Sequence, residues 1–370
     1  MKITGDKIFA SIVLILVVGG IALFSSAALG LLARVDGSPW KLVISQIGLG
    51  LVPGFILLAI FRFMSQKRLA QFITPFYVVT IILTLLVFVP HVGLTLNGAR
   101  RWIDLRFTTF QPGEFLKISV VLMLAAYLSH AKGKIKEIRT GLIPFVLIVG
   151  IPCALLIFEP NTSTVLIIGL TSACMYFLAG APWRDFLIMV VCSIVLLTAL
   201  VIARPYLMSR VTTFLNPHDN AQTSGYHIQQ SLIAIGSGQL TGRGFGQSVQ
   251  KFNYLPEAES DSVFAVYGEE FGFIGTVLLV ILFIAFALRG LIIAGESPSL
   301  FGSLAVTGLT LLITFSAFMN IGALLGIMPL TGLPLPFISH GGTALMAALM
   351  AVGIILNIAA HRAKRKTAVA

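Results

Sequence analysis

The chain alternates long apolar runs with short polar breaks, and the runs are long enough to predict helices that cross a bilayer. One crossing takes about 20 apolar residues. Ten stretches approach that length, at 8–32, 40–61, 72–90, 114–130, 141–158, 163–180, 186–203, 263–288, 301–325 and 344–360. The expected fold is an all-α polytopic membrane protein with ten transmembrane helices, a single domain over 1–370. The first run follows Lys2 and Lys7 as a secretory leader would, but its apolar core is too long for one, so it is read as a helix. One segment breaks the rhythm. Residues 204–261, between the seventh and eighth runs, contain no membrane-length apolar stretch and are expected to form a large loop outside the bilayer. Loops that long are usually functional. This one ends on Glu257, Glu259 and Asp261, just before the eighth run.

Composition supports the membrane reading. Apolar residues make up 57% of the chain, charged residues 11%, and mean hydropathy is +0.98; a soluble domain carries about 25% charged residues. The net charge of +11 does not indicate a nucleic-acid partner, because the basic residues punctuate the apolar runs and form no stripe. Their distribution sets topology instead. With the N-terminus inside, the inner segments hold fifteen Lys and Arg and the outer segments nine, Lys117 lying within a run. Both termini are therefore expected in the cytoplasm and the 204–261 loop outside, in a multi-pass protein of the inner (plasma) membrane. Cys153, Cys174 and Cys192 all fall inside apolar runs and read as packing residues rather than disulfides or metal ligands.

An outward-facing site has no access to ATP or nucleotide sugars, so its substrate must arrive activated. The glycines at 236, 238, 242, 244 and 246 lack the order of a P-loop and follow no strand; they read as a turn-rich loop, with a backbone nest for phosphate as the alternative. Protease, esterase and metal-dependent transferase motifs are absent. Two further polar features share the loop's side. In 96–117, Glu114 and Lys117 stand at i and i+3 on one helical face, as a local ion pair or as the lining of a polar groove. Arg100 and Arg101 nearby suit phosphate geometry. The second is PLTGLPLPFISHGGT at 329–343, whose prolines and glycines exclude a continuous helix and whose irregular backbone must line a cavity or be covered by protein. Glu269 and Glu270 lie two to three turns into the eighth run, where a carboxylate must be protonated or paired.

These residues carry a resemblance. GYHIQQS at 225–231, AIGSGQLTGRGFGQS at 234–248, YLPEAESD at 254–261 and PLTGLPLPFISHGG at 329–342, with ARRW at 99–102 and QPGEFLK at 111–117, resemble in order the signature series of the SEDS family (shape, elongation, division and sporulation). SVQKFNYLPEA at 248–258 is closer to its division branch than to its elongation branch. The resemblance implies a glycosyltransferase that polymerises lipid II into peptidoglycan beside a class B penicillin-binding protein and other division proteins. It carries Asp261 as the acid of the family motif. Departures are Glu259-Ser260 for His-Thr, His227 for Gln, His340 for Tyr, and Glu159-Pro160-Asn161 for Gln-Pro-Asp, which leaves the role of that turn open.

The implied chemistry is an inverting attack of an acceptor GlcNAc 4-hydroxyl on the donor, with loss of undecaprenyl pyrophosphate. Asp261 is the candidate general base, at a position where a helix N-terminus favours the ionised carboxylate; its bland alternative is a helix cap. Glu257 or Glu114 would be next. Lys117, Arg101 and Arg210 are candidates for the diphosphate charge, Gln230 for a sugar hydroxyl, and Ser339 for the substrate-facing Pro-rich loop. No cofactor is required; a divalent cation suits a diphosphate, but no ligand set is evident. The rival classes are a lipid II flippase using the same groove and a non-catalytic division scaffold, which would leave the carboxylates without purpose.

Overall fold

The computed structural model describes residues 6–33, 38–96, 99–106, 108–216 and 224–369, and the side chains of most of these. Lys2 and Arg34, used for orientation, and positions 217–223 in the centre of the long loop lie outside the described residues. In chain order the elements are α1 (Lys7–Ala28), α2 (Pro39–Gln46), α3 (Val52–Phe63), α4 (Gln66–Leu86), β1 (Gly93–Leu96), β2 (Ala99–Asp104), β3 (Thr109–Phe110), α5 (Pro112–His130), α6 (Leu142–Phe158), α7 (Thr162–Leu178), α8 (Trp183–Ala203), α9 (Pro205–Leu215), α10 (Ser224–Ser237), α11 (Val263–Gly295), α12 (Leu300–Leu324) and α13 (Gly342–Val369). A π-turn joins α2 to α3, so the two act as one span.

The fold is a mostly helical, polytopic bundle. Among the described residues eight helices are long and apolar enough to cross a membrane, and α6 and α7, at 17 residues each, are shorter apolar helices. Most predicted starts hold within about three residues, but α4 begins at Gln66 rather than 72 and α11 runs on to Gly295 rather than 288; the chain marks several of the observed ends locally. Asp6, Ser65 and Ser299 cap α1, α4 and α12 by accepting from the amides of Phe9, Arg68 and Gly302, and prolines open α2, α5 and α9 in the first turn, where no donor is lost. The centre is built by α5, α12 and α13, the most completely buried spans. By contrast α8 packs chiefly on α9, and its apolar window buries nothing against protein. The three cysteines are free, Cys192 being exposed on α8 rather than packed.

Three expectations are corrected. The fold is not wholly helical: β1, β2 and β3 form an antiparallel sheet, with Leu94 opposite Trp102 and Ile103 opposite Phe110. It carries the ARRW stretch on β2, a strand in which Ala99 and Ile103, on one face, are buried. The 204–261 segment is likewise not one loop, since it contains α9 and α10 before a series of turns.

The third correction concerns the eighth span. Gly272, with φ 64° and ψ −161°, breaks α11 internally. The backbone groups it releases are taken up by the glycine-rich turn. The amides of Arg243 and Gly244 donate to the carbonyls of Glu269 and Glu270, at 3.0 and 2.9 Å, and those of Phe273 and Ile274 donate to Gln239 and Leu240, at 2.8 and 3.1 Å. Gly242 must be glycine, because φ is +82° and a side chain would strike the Glu270 backbone. The glycine cluster is a turn-rich segment, as read, and the amides of Arg243 and Gly244 within it are spent on α11. Glu269 and Glu270 precede the break instead of lying deep in a continuous span.

Candidate active site

A cavity of about 850 Å³ opens where β2, the starts of α5 and α13, the ends of α2 and α6, α9 and the 256–262 turn converge. Of the residues anticipated from sequence, Arg101, Glu114, Arg210, Glu257 and Asp261 line it. Glu114 also lines an adjoining pocket of about 40 Å³ with Lys117 and Ser339. Gln230, half-buried on α10, lines neither. Both alternatives for Glu114 and Lys117 hold at once. They form a buried ion pair at 2.9 Å, in which Glu114 lines the cavity and Lys117 the small pocket beside it. Ser339 is engaged locally, its hydroxyl accepting from the Leu335 amide at 2.8 Å, so it shapes the Pro-rich loop.

The acidic turn is held from several sides. Asp261 is half-buried and faces the cavity, and its backbone carbonyl accepts from Asn320 Nδ2 of α12 at 2.7 Å. The same amide group reaches the Leu333 carbonyl at 2.7 Å, joining the acidic turn to the Pro-rich loop. The bland alternative for Asp261, a helix cap, does not hold. Ser262, not Asp261, is the N-cap of α11, so Asp261 is no capping residue. Nor does the helix start keep its carboxyl low: burial pushes it up to about 6, with the Arg210 charge opposing. A Cβ built on Gly332 would lie 3.7 Å from Asp261 Oδ2 and 3.8 Å from Arg210 Nη2, so the carboxylate and the guanidinium flank this glycine.

Two guanidiniums line the cavity with the carboxylate. Arg101 is aimed by β2, its Nε donating to the Glu159 carbonyl at 3.1 Å and its Nη2 to the Pro160 carbonyl. Arg210 reaches the Thr331 carbonyl at 3.5 Å from α9. Burial lowers the pKa of both, and at Arg101 the Arg210 charge adds to the effect. Two like charges held together out of water favour an anion between them. Behind Arg101 the Glu159 carboxyl is buried with no partner for either oxygen among the described residues, and burial pushes it up to about 8. Asn161 in the same turn lines the cavity and accepts from Thr164 Oγ1 at 2.7 Å.

Some site residues were not anticipated. Gln46 is buried, donates to the Ser339 carbonyl at 3.3 Å and accepts from the Gly341 amide at 3.1 Å; an amide inside an otherwise apolar run was its sequence signal. His340 lines the cavity, stacks on Phe24 with centroids 5.6 Å apart and donates its amide to the Glu259 carbonyl at 2.9 Å. Asn320, an amide within the apolar run 301–325, carried the same kind of signal. Among the described residues no group of three or more His, Cys, Asp or Glu is arranged to hold a metal ion.

Fold and site together define a polytopic membrane protein with a polar, acid- and arginine-lined cavity at one end of its bundle. The family model described as cell cycle protein, covering FtsW, RodA and SpoVE, matches residues 6–364. The chain is 35% identical to stage V sporulation protein E of Bacillus subtilis over 352 residues, 94% of each chain. It is also 35% identical to a probable peptidoglycan glycosyltransferase FtsW of Hydrogenovibrio crunogenus over 350 residues, 93% of this chain and 88% of that one. A solved chain from a peptidoglycan synthase complex that coordinates polymerisation and crosslinking superimposes with a TM-score of 0.79 at 27% identity, covering 97% of this chain and 98% of that one. This chain belongs to the FtsW/RodA/SpoVE family, the SEDS proteins.

Proposed function

We propose that this protein is a division-type peptidoglycan glycosyltransferase that polymerises lipid II within the large cavity. The observation that carries the reading is the placing of Asp261 beside Arg210, with Arg101 lining the same space of about 850 Å³. Relatives named as peptidoglycan glycosyltransferases support the activity at 35% identity. In the proposed reaction Asp261 takes the proton from the acceptor GlcNAc 4-hydroxyl as its oxygen attacks the donor anomeric carbon with inversion. The bond to the diphosphate breaks, and its charge is received by Arg101 and Arg210, with Lys117 below them. A carboxyl raised toward the working pH is a better base than an ordinary aspartate, because proton transfer to it is less uphill. Any divalent cation comes with the diphosphate rather than from a preassembled protein site.

The reading requires ten spans, α6 and α7 crossing with the eight longer ones, both termini in the cytoplasm, and the 204–262 region outside. A class B penicillin-binding protein would bind through apolar helix faces and the outer segments to crosslink the strands. Purified protein given lipid II, alone and with such a transpeptidase, should produce glycan strands without nucleotide. Lipid II left unpolymerised but moved across proteoliposomes would overturn the reading in favour of a flippase.

A further inference from the structure

The turn that presents Asp261 is closed on itself by one hydroxyl. Ser262 Oγ donates to the Pro256 carbonyl at 2.8 Å, spanning both ends of the turn, while the Ser260 and Ser262 amides donate to the Glu257 carbonyl at 3.0 and 3.2 Å. Glu257 sits at φ +48°, in the left-handed region that non-glycine residues rarely adopt. Such a conformation persists only where its surroundings fix it. Part of that fixing comes from outside the turn. His227 of α10 lies 2.6 Å through Nε2 from Ser262 Oγ, and Ser262 is fully buried. Ser262 has a single proton. With that proton on the Pro256 carbonyl, the oxygen is left as an acceptor, and the arrangement that satisfies every group has Nε2–H donating to it.

The ring is aimed by its helix. Ile228, Ser231 and Ala234 are buried, placing one face of α10 against α11, and the Ser231 hydroxyl donates to the His227 carbonyl at 2.8 Å. The distance from Ser262 Oγ to Asp261 Oδ1 is 3.5 Å, too long for a strong hydrogen bond. Direct proton transfer is therefore not the role this geometry supports; control of the turn's shape is.

We propose that His227 is a positioning residue of the active site: by donating to Ser262 it fixes the 256–262 turn and so the direction of the Asp261 carboxyl. The proposal rests on Asp261 being the base. It has a chemical corollary. A glutamine at 227 offers an amide donor of similar reach, whereas leucine fills the space and offers none.

The test uses the full-length protein with lipid II and its transpeptidase. His227→Leu should lower kcat by roughly 10- to 100-fold, the scale of a misplacement near 1 Å, with KM little changed. His227→Gln should restore most of the rate. Ser262→Ala should lose about as much as His227→Leu, and the double variant no more than either alone, since the two act through one hydrogen bond. Amide hydrogen exchange supplies a readout independent of turnover: peptides covering 256–262 should exchange faster in His227→Leu and not in His227→Gln. If the unsubstituted protein makes no polymer, the proposed function fails, and exchange alone decides this inference. Normal kcat with unchanged exchange in His227→Leu, a His227→Gln variant as impaired as His227→Leu, or multiplicative losses in the double variant would each overturn it.

Discussion

Two pairs of carboxylates in this protein have unlike surroundings. Glu269 and Glu270, before the break in α11, are well supplied with donors, although among the described residues Glu270 Oε2 has none. Glu269 receives Ser248 Oγ at 2.6 Å and the amides of Val249 and Gln250 at 3.1 Å, with Arg243 at 3.4 Å. Glu270 Oε1 receives Ser26 Oγ at 2.6 Å and the buried ammonium of Lys251 at 2.8 Å. Asp261, at the cavity, and Glu159, behind Arg101, are less well supplied: among the described residues the first accepts from its own amide and lies 3.5 Å from one hydroxyl, and neither oxygen of the second has a hydrogen-bond partner. Burial raises both, to about 6 and about 8. Well-supplied carboxylates hold a structure together. Undersupplied ones are left with affinity for a proton, which is what a base needs.

The sharpest way to break this contrast is Asp261→Asn. Losing a general base removes roughly 10²- to 10⁴-fold of rate, and the backbone bond from Asn320 survives the change. The variant should fold, bind its partner and fail to polymerise lipid II. Polymerisation within a few-fold of the unsubstituted enzyme would move the base to Glu257 or Glu114.

Glu270→Gln tests the other side. It strands the Lys251 ammonium in a fully buried position, and stripping one partner from such a pair costs about 3–5 kcal/mol. Thermal unfolding in detergent should register a large loss of stability, whereas an unchanged melting temperature would show the pair to be dispensable.

The pH profile offers a milder test. A base must be unprotonated, so kcat/KM should fall about tenfold per unit as pH drops below about 6. A flat profile down to about pH 5 would be incompatible with Asp261 as the base. For Glu159 the sign is opposite and the readout is stability. Its folded-state value, about 8, exceeds the ordinary 4.5, so the folded state binds the extra proton and loses stability as pH rises through that interval. Glu159→Gln should melt less pH-dependently than the parent between pH 6 and pH 9, a range chosen around about 8. Parallel melting curves would show that Glu159 is ionised and paired after all.

The smallest effect is expected at Glu259. Its backbone carbonyl accepts from the His340 amide, a bond that a side-chain change leaves in place, while its charge opposes ionisation of Asp261. Glu259→Gln should keep most of the polymerisation rate, and a loss rivalling that of Asp261→Asn would erase the distinction among the three acids of this turn.

What the sequence determined by itself was local. Apolar runs and their Ser, Asp and Pro boundaries specify helices residue by residue, because bilayer thickness and capping act over a turn or two. Glu114 and Lys117 were legible for the same reason, three residues apart on one face. The acidic turn could be read from its placing before α11, and its match to a family motif singled out Asp261. The tertiary structure decided everything that depends on segments far apart meeting. Positions 46, 101, 161, 210, 261 and 340 share one cavity, and no spacing along the chain encodes that. Lys251 looked like an outer surface charge until α1 and α11 enclosed it. Gly272 looked like any glycine of a span, because a helix break shows only when the turn that absorbs its freed backbone groups is in place. The raised proton affinity of Asp261 came from burial, and burial belongs to the assembled bundle, not to the peptide.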